Sequence, residues 1–148
     1  MLHGGDYMAK KRAARDIMKV PVITVKGDML VTDVIKLMTR WSISAIPVID
    51  DDGKLLGMVT GRLIMNLPID GVAARTVVSE VMTKQMENCC PTYAPETPDE
   101  KIMNDFAASR INRALVVDDG KVVGIISRLD IIGELDRIYS RYVAGAEA

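Results

Sequence analysis

The sequence predicts a mixed α/β (α+β) fold in which two pseudo-symmetric β-α-β-β-α repeats pack through their sheets. The segment IPVIDDDGKLLGMVTGRLIM at 46–65 returns in altered form as ALVVDDGKVVGIISRLDII at 114–132. Both copies place an Asp-Gly turn between two apolar runs rich in β-branched residues, and both continue into a helix-like apolar stretch. Because a three-stranded sheet alone leaves one apolar face uncovered, we expect the two copies to cover each other.

Composition indicates a globular protein. The 148 residues are 49% hydrophobic and 26% charged, a balance typical of chains that fold around a core. The net charge of −1 gives no general attraction to nucleic acid or to an anionic membrane, so neither is expected as a partner. Aromatic residues make up only 4%, which counts against a cage of stacked rings around a ligand.

The sequence also predicts a cytoplasmic location. No apolar run approaches the roughly 20 residues of a membrane span. The N-terminal MLHGGDYMAKKRAAR contains no apolar signal-peptide core. The two cysteines, Cys89 and Cys90, are adjacent, and neighbouring cysteines rarely bridge each other, so we expect a reducing compartment.

The first repeat is predicted to begin with a strand and a capped helix. The run PVITV at 21–25 favours a short strand, and Asp28 is placed to cap a helix that ends near Trp41. The inward face of this helix comprises Leu30, Val34, Leu37, Met38 and Trp41. Strands at 46–49 and 55–60 and a short helix at 62–66 complete the repeat.

The second repeat follows the same plan. Thr97, Pro98 and Glu100 have the types and spacing of an N-cap, a first helical residue and a capping-box partner. The helix that they begin is predicted to turn Ile102, Met103 and Phe106 inward. Strands at 115–117 and 122–127 flank an Asp119-Gly120 turn, and a closing helix runs from 128 to about 143.

These elements divide the chain into five segments. They are an N-terminal extension at 1–14, a first repeat at 15–68, a linker at 69–77, a second repeat at 78–143 and a C-terminal tail at 144–148. The apolar spacing over 73–84 predicts a helix that links the two repeats.

The residues that carry a family resemblance lie in both copies. The order DIM…VPVITV…ISAIPVIDDDGKLLGMVT, followed by VMT…INRALVVDDGKVVGIISRLDII, resembles a stand-alone tandem pair of CBS domains, a Bateman module. The resemblance implies a regulatory module that binds AMP, ADP, ATP or S-adenosylmethionine in the cleft between repeats and requires no cofactor. It further implies a homodimer that packs two pairs into a disc and relays occupancy to a regulated partner protein.

Ser127 and Asp130 carry the most specific chemistry of the sequence. Ser127 ends a predicted strand and Asp130 falls in the first turn of the following helix, where unpaired N–H groups favour an anion. A carboxylate there can accept hydrogen bonds from both hydroxyls of a ribose, which is the role that the resemblance implies for Asp130. The same spacing is also that of a capping box, in which the Asp binds its own backbone, and the two roles can coexist.

The resemblance also implies which residues surround the ligand. Arg128 would reach a phosphate as a guanidinium fork. Arg113 stands at the entry to a buried strand, where it could bind a phosphate or equally well form a surface ion pair. The full set of candidate ligand contacts is Asp130, Ser127, Arg128, Ile125, Pro21, Val22, Ile23, Ile43, Ser44, Ala45, Asn112 and Arg113.

A second, weaker site follows from the internal symmetry. It would use Thr60, Cys90 and Thr92, together with Asn112 and Arg113. Leu63 stands where the ribose carboxylate would be, and a leucine accepts no hydrogen bond. Unpaired ribose hydroxyls in a buried site cost about 1–3 kcal/mol each, so we expect this site to be empty or weak.

The sequence offers little support for catalysis or for metal binding, so we expect that the protein is not an enzyme. His3 is the only histidine and lies in the N-terminal extension, which leaves the chain without a histidine-centred general base. Cys89 and Cys90 lack the partners of a tetrahedral metal site. The basic run Lys10–Arg15 is typical of a solvated helix face. The alternative to a ligand sensor is a structural dimerisation or interaction module that binds no physiological nucleotide.

Overall fold

The computed structural model describes residues 11–67, 75–86 and 90–147. In chain order the elements are α1 (Ala14–Ile17), β1 (Val25–Lys26), α2 (Val31–Trp41), β2 (Ala45–Ile49), β3 (Leu55–Thr60), α3 (Gly61–Asn66), a 3₁₀ helix (Val78–Glu80), β4 (Thr92–Tyr93), α4 (Asp99–Ser109), β5 (Arg113–Asp118), β6 (Lys121–Ser127) and α5 (Arg128–Glu147). The predicted mixed α/β fold with two β-α-β-β-α repeats is confirmed. None of the helices within the described ranges combines the length and apolar character needed to cross a membrane.

The chain forms two compact units, and each contains one three-stranded sheet. The first-repeat unit consists of the described parts of Val22–Cys89 together with Asp119–Val122. The second-repeat unit consists of the described parts of Met1–Pro21, Cys90–Asp118 and Val123–Ala148. The units therefore differ from the sequence repeats, because residues 15–21 of the first repeat belong to the second-repeat unit, and residues 78–86 of the second repeat belong to the first-repeat unit.

The sheet of the first-repeat unit has the strand order β1-β2-β3. Strand β1 runs parallel to β2, with Val25 opposite Val48, and β2 runs antiparallel to β3, with Val48 opposite Gly57. The strand predicted at 21–25 is wrong in extent, because β1 covers only Val25–Lys26. The core of this unit consists of Val25, Val31, Val34, Ile46, Val48, Val59 and Val78.

The helix of the first repeat begins later than predicted. Asp28 does not cap it; α2 follows Leu30, and the Val31 N–H donates a 2.9 Å hydrogen bond to the Thr76 carbonyl. A backbone group of the linker therefore replaces the expected side-chain cap. Val34 is buried as predicted, whereas Trp41 at the end of the helix is 57% exposed rather than part of the core.

The second-repeat unit repeats this arrangement with the strand order β4-β5-β6. Strand β4 runs parallel to β5, with Thr92 opposite Leu115. The Asp119-Gly120 turn joins β5 to β6, and both of its residues have positive φ, as a tight hairpin requires. The core consists of Ala14, Ile17, Tyr93, Ile102, Phe106, Ala114, Val116, Ile126 and Ile131, with Met103 packed against it.

The predicted cap of α4 is also wrong. Pro98, not Thr97, is the N-cap residue, and its side chain caps nothing. The Asp99 N–H instead donates a 3.0 Å hydrogen bond to the Arg12 carbonyl, and the Thr97 carbonyl accepts one of 2.8 Å from the Ala14 N–H. The start of α4 is therefore capped by the backbone of the N-terminal segment, as the start of α2 is capped by the linker.

The linking helix predicted at 73–84 is absent from the described part of that range, which contains only the 3₁₀ helix Val78–Glu80. After it the chain is extended, and Met58 and Thr83 exchange two backbone hydrogen bonds of 2.9 Å. Extended pairing with β3 excludes the i→i+4 hydrogen bonds of a helix. In the described part of this range the apolar residue Val78 is buried, although the segment does not form an α-helix.

The basic run of the N-terminal segment is only partly solvated. Lys11 and Arg15 are exposed, as expected of a solvated face, but Arg12 is half-buried and forms an ion pair with Glu134. Lys10 and His3 lie outside the described residues. The interpretation of this run as a solvated helix face is therefore wrong at Arg12.

Candidate functional site

The strand β6 and the helix α5 meet at Ser127 and place Asp130 in the first helical turn. The Asp130 Oδ2 accepts hydrogen bonds from the Ser127 N–H at 2.8 Å and from the Ser127 Oγ at 3.0 Å. The Asp130 N–H donates to the Ser127 Oγ at 3.4 Å. The capping box that the spacing predicted is therefore formed.

Lys19 is the third member of this site, and the sequence did not indicate it. Its Nζ lies 3.5 Å from the Asp130 Oδ1. The Lys19 backbone is fixed beside β6, because its N–H donates to the Ile125 carbonyl at 2.8 Å and its carbonyl accepts from the Ile125 N–H at 3.2 Å. Only knowledge that the N-terminal segment pairs with β6 would have revealed this contact.

The Asp130 carboxylate is buried yet keeps unused acceptor capacity. Its side chain is 5% exposed, whereas that of Lys19 is 75% exposed. Among the described residues, Oδ2 accepts from the two groups of Ser127, whereas Oδ1 contacts an ammonium at 3.5 Å, which is longer than the about 2.7–2.9 Å of a charge-assisted hydrogen bond. A hydroxyl donor can therefore bind Oδ1 while Ser127 holds the carboxylate in place.

The other predicted ligand residues of the second-repeat unit lie on neighbouring elements. Arg128 is exposed at the start of α5, and its Nε donates to the Ile111 carbonyl at 3.4 Å. Asn112 is exposed, and Arg113 is the half-buried first residue of β5. Ile125 is half-buried on β6 and adjoins Lys19 through their backbone pairing, and Pro21 is exposed two residues after Lys19.

The remaining predicted contacts belong to the first-repeat unit. Ala45 lies opposite Thr60 in the β2–β3 pairing, and the Ser44 carbonyl accepts a 2.7 Å hydrogen bond from the Gly61 N–H. Ile43 packs against the core of this unit. Val22 and Ile23 are half-buried in the irregular segment that leads to β1. The structure therefore brings Ser44, Ala45 and Thr60 to one end of the sheet.

The residues predicted for the weaker site belong to different units. Thr60 caps α3, because its Oγ1 accepts from the Leu63 N–H at 3.2 Å, and this is the counterpart of Ser127 at α5. Cys90 is fully buried and Thr92 is exposed in β4, and both belong to the second-repeat unit. Cys89 lies outside the described residues. Among the residues that the structure describes, no group of three His, Cys, Asp or Glu side chains could hold a metal ion.

Comparison with known proteins relates both repeats to one family. The sequence model described as "CBS domain" matches residues 14–69 and again residues 78–137. The CBS domain-containing protein YhcV of Bacillus subtilis is 29% identical over 120 residues, which cover 80% of this chain and 82% of that protein. The inosine-5'-monophosphate dehydrogenase of Methanocaldococcus jannaschii is 34% identical over 126 residues, which cover 84% of this chain but only 23% of the enzyme.

A solved structure extends this likeness to three dimensions. The crystal structure of CBSX2 in complex with AMP superposes with a TM-score of 0.74 at 25% identity and covers 86% of this chain and 98% of its own. The matched regions cover only part of two of the curated relatives: 37% of an uncharacterized protein of Methanopyrus kandleri, which is 43% identical over 74 residues, and 23% of the dehydrogenase.

Proposed function

The chain belongs to the CBS domain family, and on that premise we propose that it is a regulatory module that senses an adenosine-containing metabolite through Asp130. The observation that carries the proposal is the Asp130 carboxylate, which is 5% exposed, accepts two hydrogen bonds from Ser127 at Oδ2 and has the Lys19 ammonium 3.5 Å from Oδ1. The 2′- and 3′-hydroxyls of a ribose are donors of the required type. AMP, ADP, ATP and S-adenosylmethionine all contain them.

The likeness to an AMP complex supports the choice of an adenine nucleotide. CBSX2, which was crystallised with AMP, shares 25% identity and a TM-score of 0.74 with this chain. In the proposed site Arg128 and Arg113 lie at the two element starts where a guanidinium can meet a phosphate. We propose Ile125 and Asn112 as further contacts, and Pro21, Val22, Ile23, Ile43, Ser44 and Ala45 as contacts to the adenine.

The proposal assigns no reaction to the chain. The inosine-5'-monophosphate dehydrogenase of Methanocaldococcus jannaschii matches this chain over only 23% of its own length. Ligand binding instead favours the conformation that binds the ligand more tightly, and this shift in population is what a sensor relays to a partner protein. The regulated partner is proposed to be a protein that distinguishes the bound from the free form.

Calorimetric titration with AMP tests the proposal through Asp130→Ala. We expect the affinity to fall at least about tenfold, because the ribose hydroxyls lose their acceptor. The same substitution removes a helix cap worth about 1 kcal/mol, so chemical denaturation must show that the variant is folded at the titration temperature. Asp136→Ala is the matched control, since Asp136 is an exposed aspartate farther along α5. Equal affinity of the wild type and Asp130→Ala would refute the assignment.

A structural dimerisation module is the second candidate function, and the surface of α5 favours it. Five apolar side chains of this helix are between 37% and 77% exposed: Leu129, Ile132, Leu135, Tyr139 and Val143. Their spacing places them along one side of the helix, and such a stripe is typical of a surface that meets a second copy. The two functions are compatible, because a homodimer can bind a ligand in each chain.

Two measurements separate the candidates. Light scattering of Ile132→Glu is expected to show a monomer if α5 forms the dimer, because a buried charge at this position opposes association. A thermal-shift series with AMP, ADP, ATP and S-adenosylmethionine reports ligand binding, since a ligand at about 100 times its Kd adds about 2.7 kcal/mol. A dimer that responds to none of the four ligands would favour the structural function alone.

A further inference from the structure

We propose that Lys19 selects the ligand of the Asp130 site by charge and favours adenosine compounds that carry a 5′-phosphate over uncharged or cationic ones. The inference rests on the proposed function and names the class of ligand that the site takes. It follows from the contact of the Lys19 ammonium with Asp130 Oδ1, the carboxylate oxygen that retains acceptor capacity.

The backbone of Lys19 is held by hydrogen bonds, whereas its side chain is largely exposed to solvent. Two hydrogen bonds with Ile125, of 2.8 and 3.2 Å, fix its main chain against β6. Its side chain is 75% exposed, and its Nζ lies 3.5 Å from Asp130 Oδ1. A long, strongly hydrated side chain of this kind can leave one anion for another without any change in the backbone.

A ribose on Asp130 changes the electrostatics of Lys19. In the free protein the ammonium balances a carboxylate that is almost wholly buried. When ribose hydroxyls take Oδ1 as their acceptor, the ammonium must give up its close approach to that oxygen. A 5′-phosphate on the same ribose then supplies a new anionic partner within reach of the lysine head. An uncharged nucleoside supplies none, and the sulfonium of S-adenosylmethionine adds a second positive charge beside the ammonium.

The selection therefore comes from an exchange of ion pairs. A phosphorylated ligand replaces the carboxylate as the partner of Lys19, whereas an uncharged ligand only displaces the ammonium. Arg128 is a second cation at the start of α5, but its Nε donates to the Ile111 carbonyl at 3.4 Å, whereas the Lys19 ammonium lies 3.5 Å from Asp130 Oδ1. Only Lys19 would therefore exchange one anionic partner for another when a ligand binds, and its contribution adds to the phosphate contacts proposed for Arg128 and Arg113.

Titrations of AMP, adenosine and S-adenosylmethionine into the wild type and Lys19→Met test the inference. We expect the wild type to bind AMP at least about tenfold more tightly than adenosine, since a hydrogen bond between charged groups is worth that factor. In Lys19→Met this preference is expected to shrink at least about fivefold relative to the wild type, with adenosine bound as well as by the wild type or better. The preference of the wild type should also weaken at high salt, because Lys19 is exposed.

Two variants serve as controls. Lys101→Met removes the same charge from an exposed lysine–aspartate pair in the same unit, the Nζ of Lys101 lying 2.9 Å from Asp105 Oδ2, and should leave all three affinities unchanged. Lys19→Arg retains the charge and should retain the preference for AMP.

The possible failures are distinguishable. If the wild type binds none of AMP, ADP, ATP, adenosine and S-adenosylmethionine, both the proposed function and the inference are refuted. If it binds S-adenosylmethionine but no phosphorylated ligand, the proposed function stands and selection by Lys19 is refuted. If both ligands bind with equal affinity, or if Lys19→Met weakens them equally, the site stands and selection by Lys19 is refuted. A preference that survives Lys19→Met and disappears in Arg128→Met would also refute it.

Discussion

Arg12 and Glu134 form an ion pair of 3.0 Å although 122 positions separate them in the sequence. The Glu134 side chain is 3% exposed, and Arg137 on the same helix donates to the same oxygen at 2.6 Å. Burial opposes ionisation of Glu134, but the hydrogen bonds from Arg137 and Arg12 outweigh it and lower its pKa. The N-terminal segment is thus bound to α5 at Glu134, one helical turn beyond the contact of Lys19 with Asp130.

Arg12→Met is expected to destabilise the second-repeat unit by about 1–2 kcal/mol. Loss of one partner leaves a buried carboxylate with less compensation, although Arg137 remains and the 31% exposure of Arg12 moderates the effect. Urea denaturation measures the change. Lys26→Met is the control, because Lys26 pairs with a fully exposed Asp51 and its loss should change stability less than that of Arg12. Equal effects of the two substitutions would show that the Arg12 pair is no stronger than a surface pair.

Asp99→Asn should stabilise the protein more as the pH rises. Burial raises the pKa of Asp99, and the hydrogen bond and charge of Glu134 add to the rise. An acid whose pKa is higher in the folded state stabilises that state most below its unfolded pKa, and the contribution is lost as the pH rises through the folded pKa. Asparagine does not titrate, so the variant should gain about 0.5–1 kcal/mol over the wild type between about pH 4 and about pH 8.

Denaturation curves at both pH values test this expectation. Glu100→Gln, the same change of charge at the exposed neighbouring position, should show no comparable pH dependence. A difference between Asp99→Asn and the wild type that stays constant with pH would contradict the prediction.

Tyr93→Phe should cost about 1 kcal/mol of stability. The Tyr93 hydroxyl donates a 2.8 Å hydrogen bond to Asp105 Oδ2, and the residue is 8% exposed at the edge of the core. Burial raises the pKa of Tyr93, and the bond to Asp105 raises it further, so the hydroxyl is protonated and donates at neutral pH. Tyr139→Phe is the control, since Tyr139 is 64% exposed. Guanidinium denaturation that places the two variants at the same midpoint would contradict a role for this bond.

Local signals predicted much of this fold correctly. The Asp119-Gly120 hairpin, the strand Leu55–Thr60 and the burial of Ile102 and Phe106 depend on neighbouring residues, so turn chemistry and apolar periodicity were sufficient to find them. The Ser127–Asp130 capping box is equally local, because its two residues are three positions apart.

The errors at the starts of α2 and α4 share one physical cause: backbone carbonyls from distant parts of the chain cap these helices in place of nearby side chains. The N–H groups that open α2 and α4, at Val31 and Asp99, are satisfied by the carbonyls of Thr76 and Arg12 rather than by Asp28 and Thr97. Side-chain caps are predictable from spacing, but a carbonyl that arrives from another segment carries no sequence signal. The same long-range pairing places Lys19 at Asp130, and for the same reason the sequence could not indicate it.

Gly124→Ala and Gly57→Ala should both destabilise the protein, by about 1–3 kcal/mol, and should differ in whether they can be rescued. A Cβ at 124 would overlap the side chain of Met18, whereas a Cβ at 57 would lie 2.6 Å from the backbone carbonyl of Thr83. Adding Met18→Ala should therefore recover part of the stability of Gly124→Ala, because the obstructing atoms belong to a side chain.

Gly57→Ala offers no such remedy. Met82→Ala removes the Met82 atoms near position 57 but leaves the Thr83 carbonyl, which accepts a hydrogen bond from Met58. Gly133→Ala is the control, since nothing lies within 4 Å of a Cβ there and alanine in a helix should add about 0.5–1 kcal/mol. Thermal denaturation of the set checks the ranking. Equal rescue at both sites would contradict the distinction between side-chain and backbone obstruction.

Leu63→Asp should raise the number of AMP molecules bound per chain. Thr60 accepts from the Leu63 N–H at 3.2 Å, as Ser127 accepts from the Asp130 N–H, so the two helix starts differ mainly in the missing carboxylate. Leu63 is half-buried and lies outside the core of its unit, and an aspartate can therefore be introduced with little loss of packing. Calorimetric stoichiometry measures the outcome, and Leu63→Ala controls for removal of the leucine. If Leu63→Asp binds no more AMP than Leu63→Ala does, the carboxylate is not what the second site lacks, and Leu115, which stands where the first repeat has Pro47, becomes the next residue to exchange.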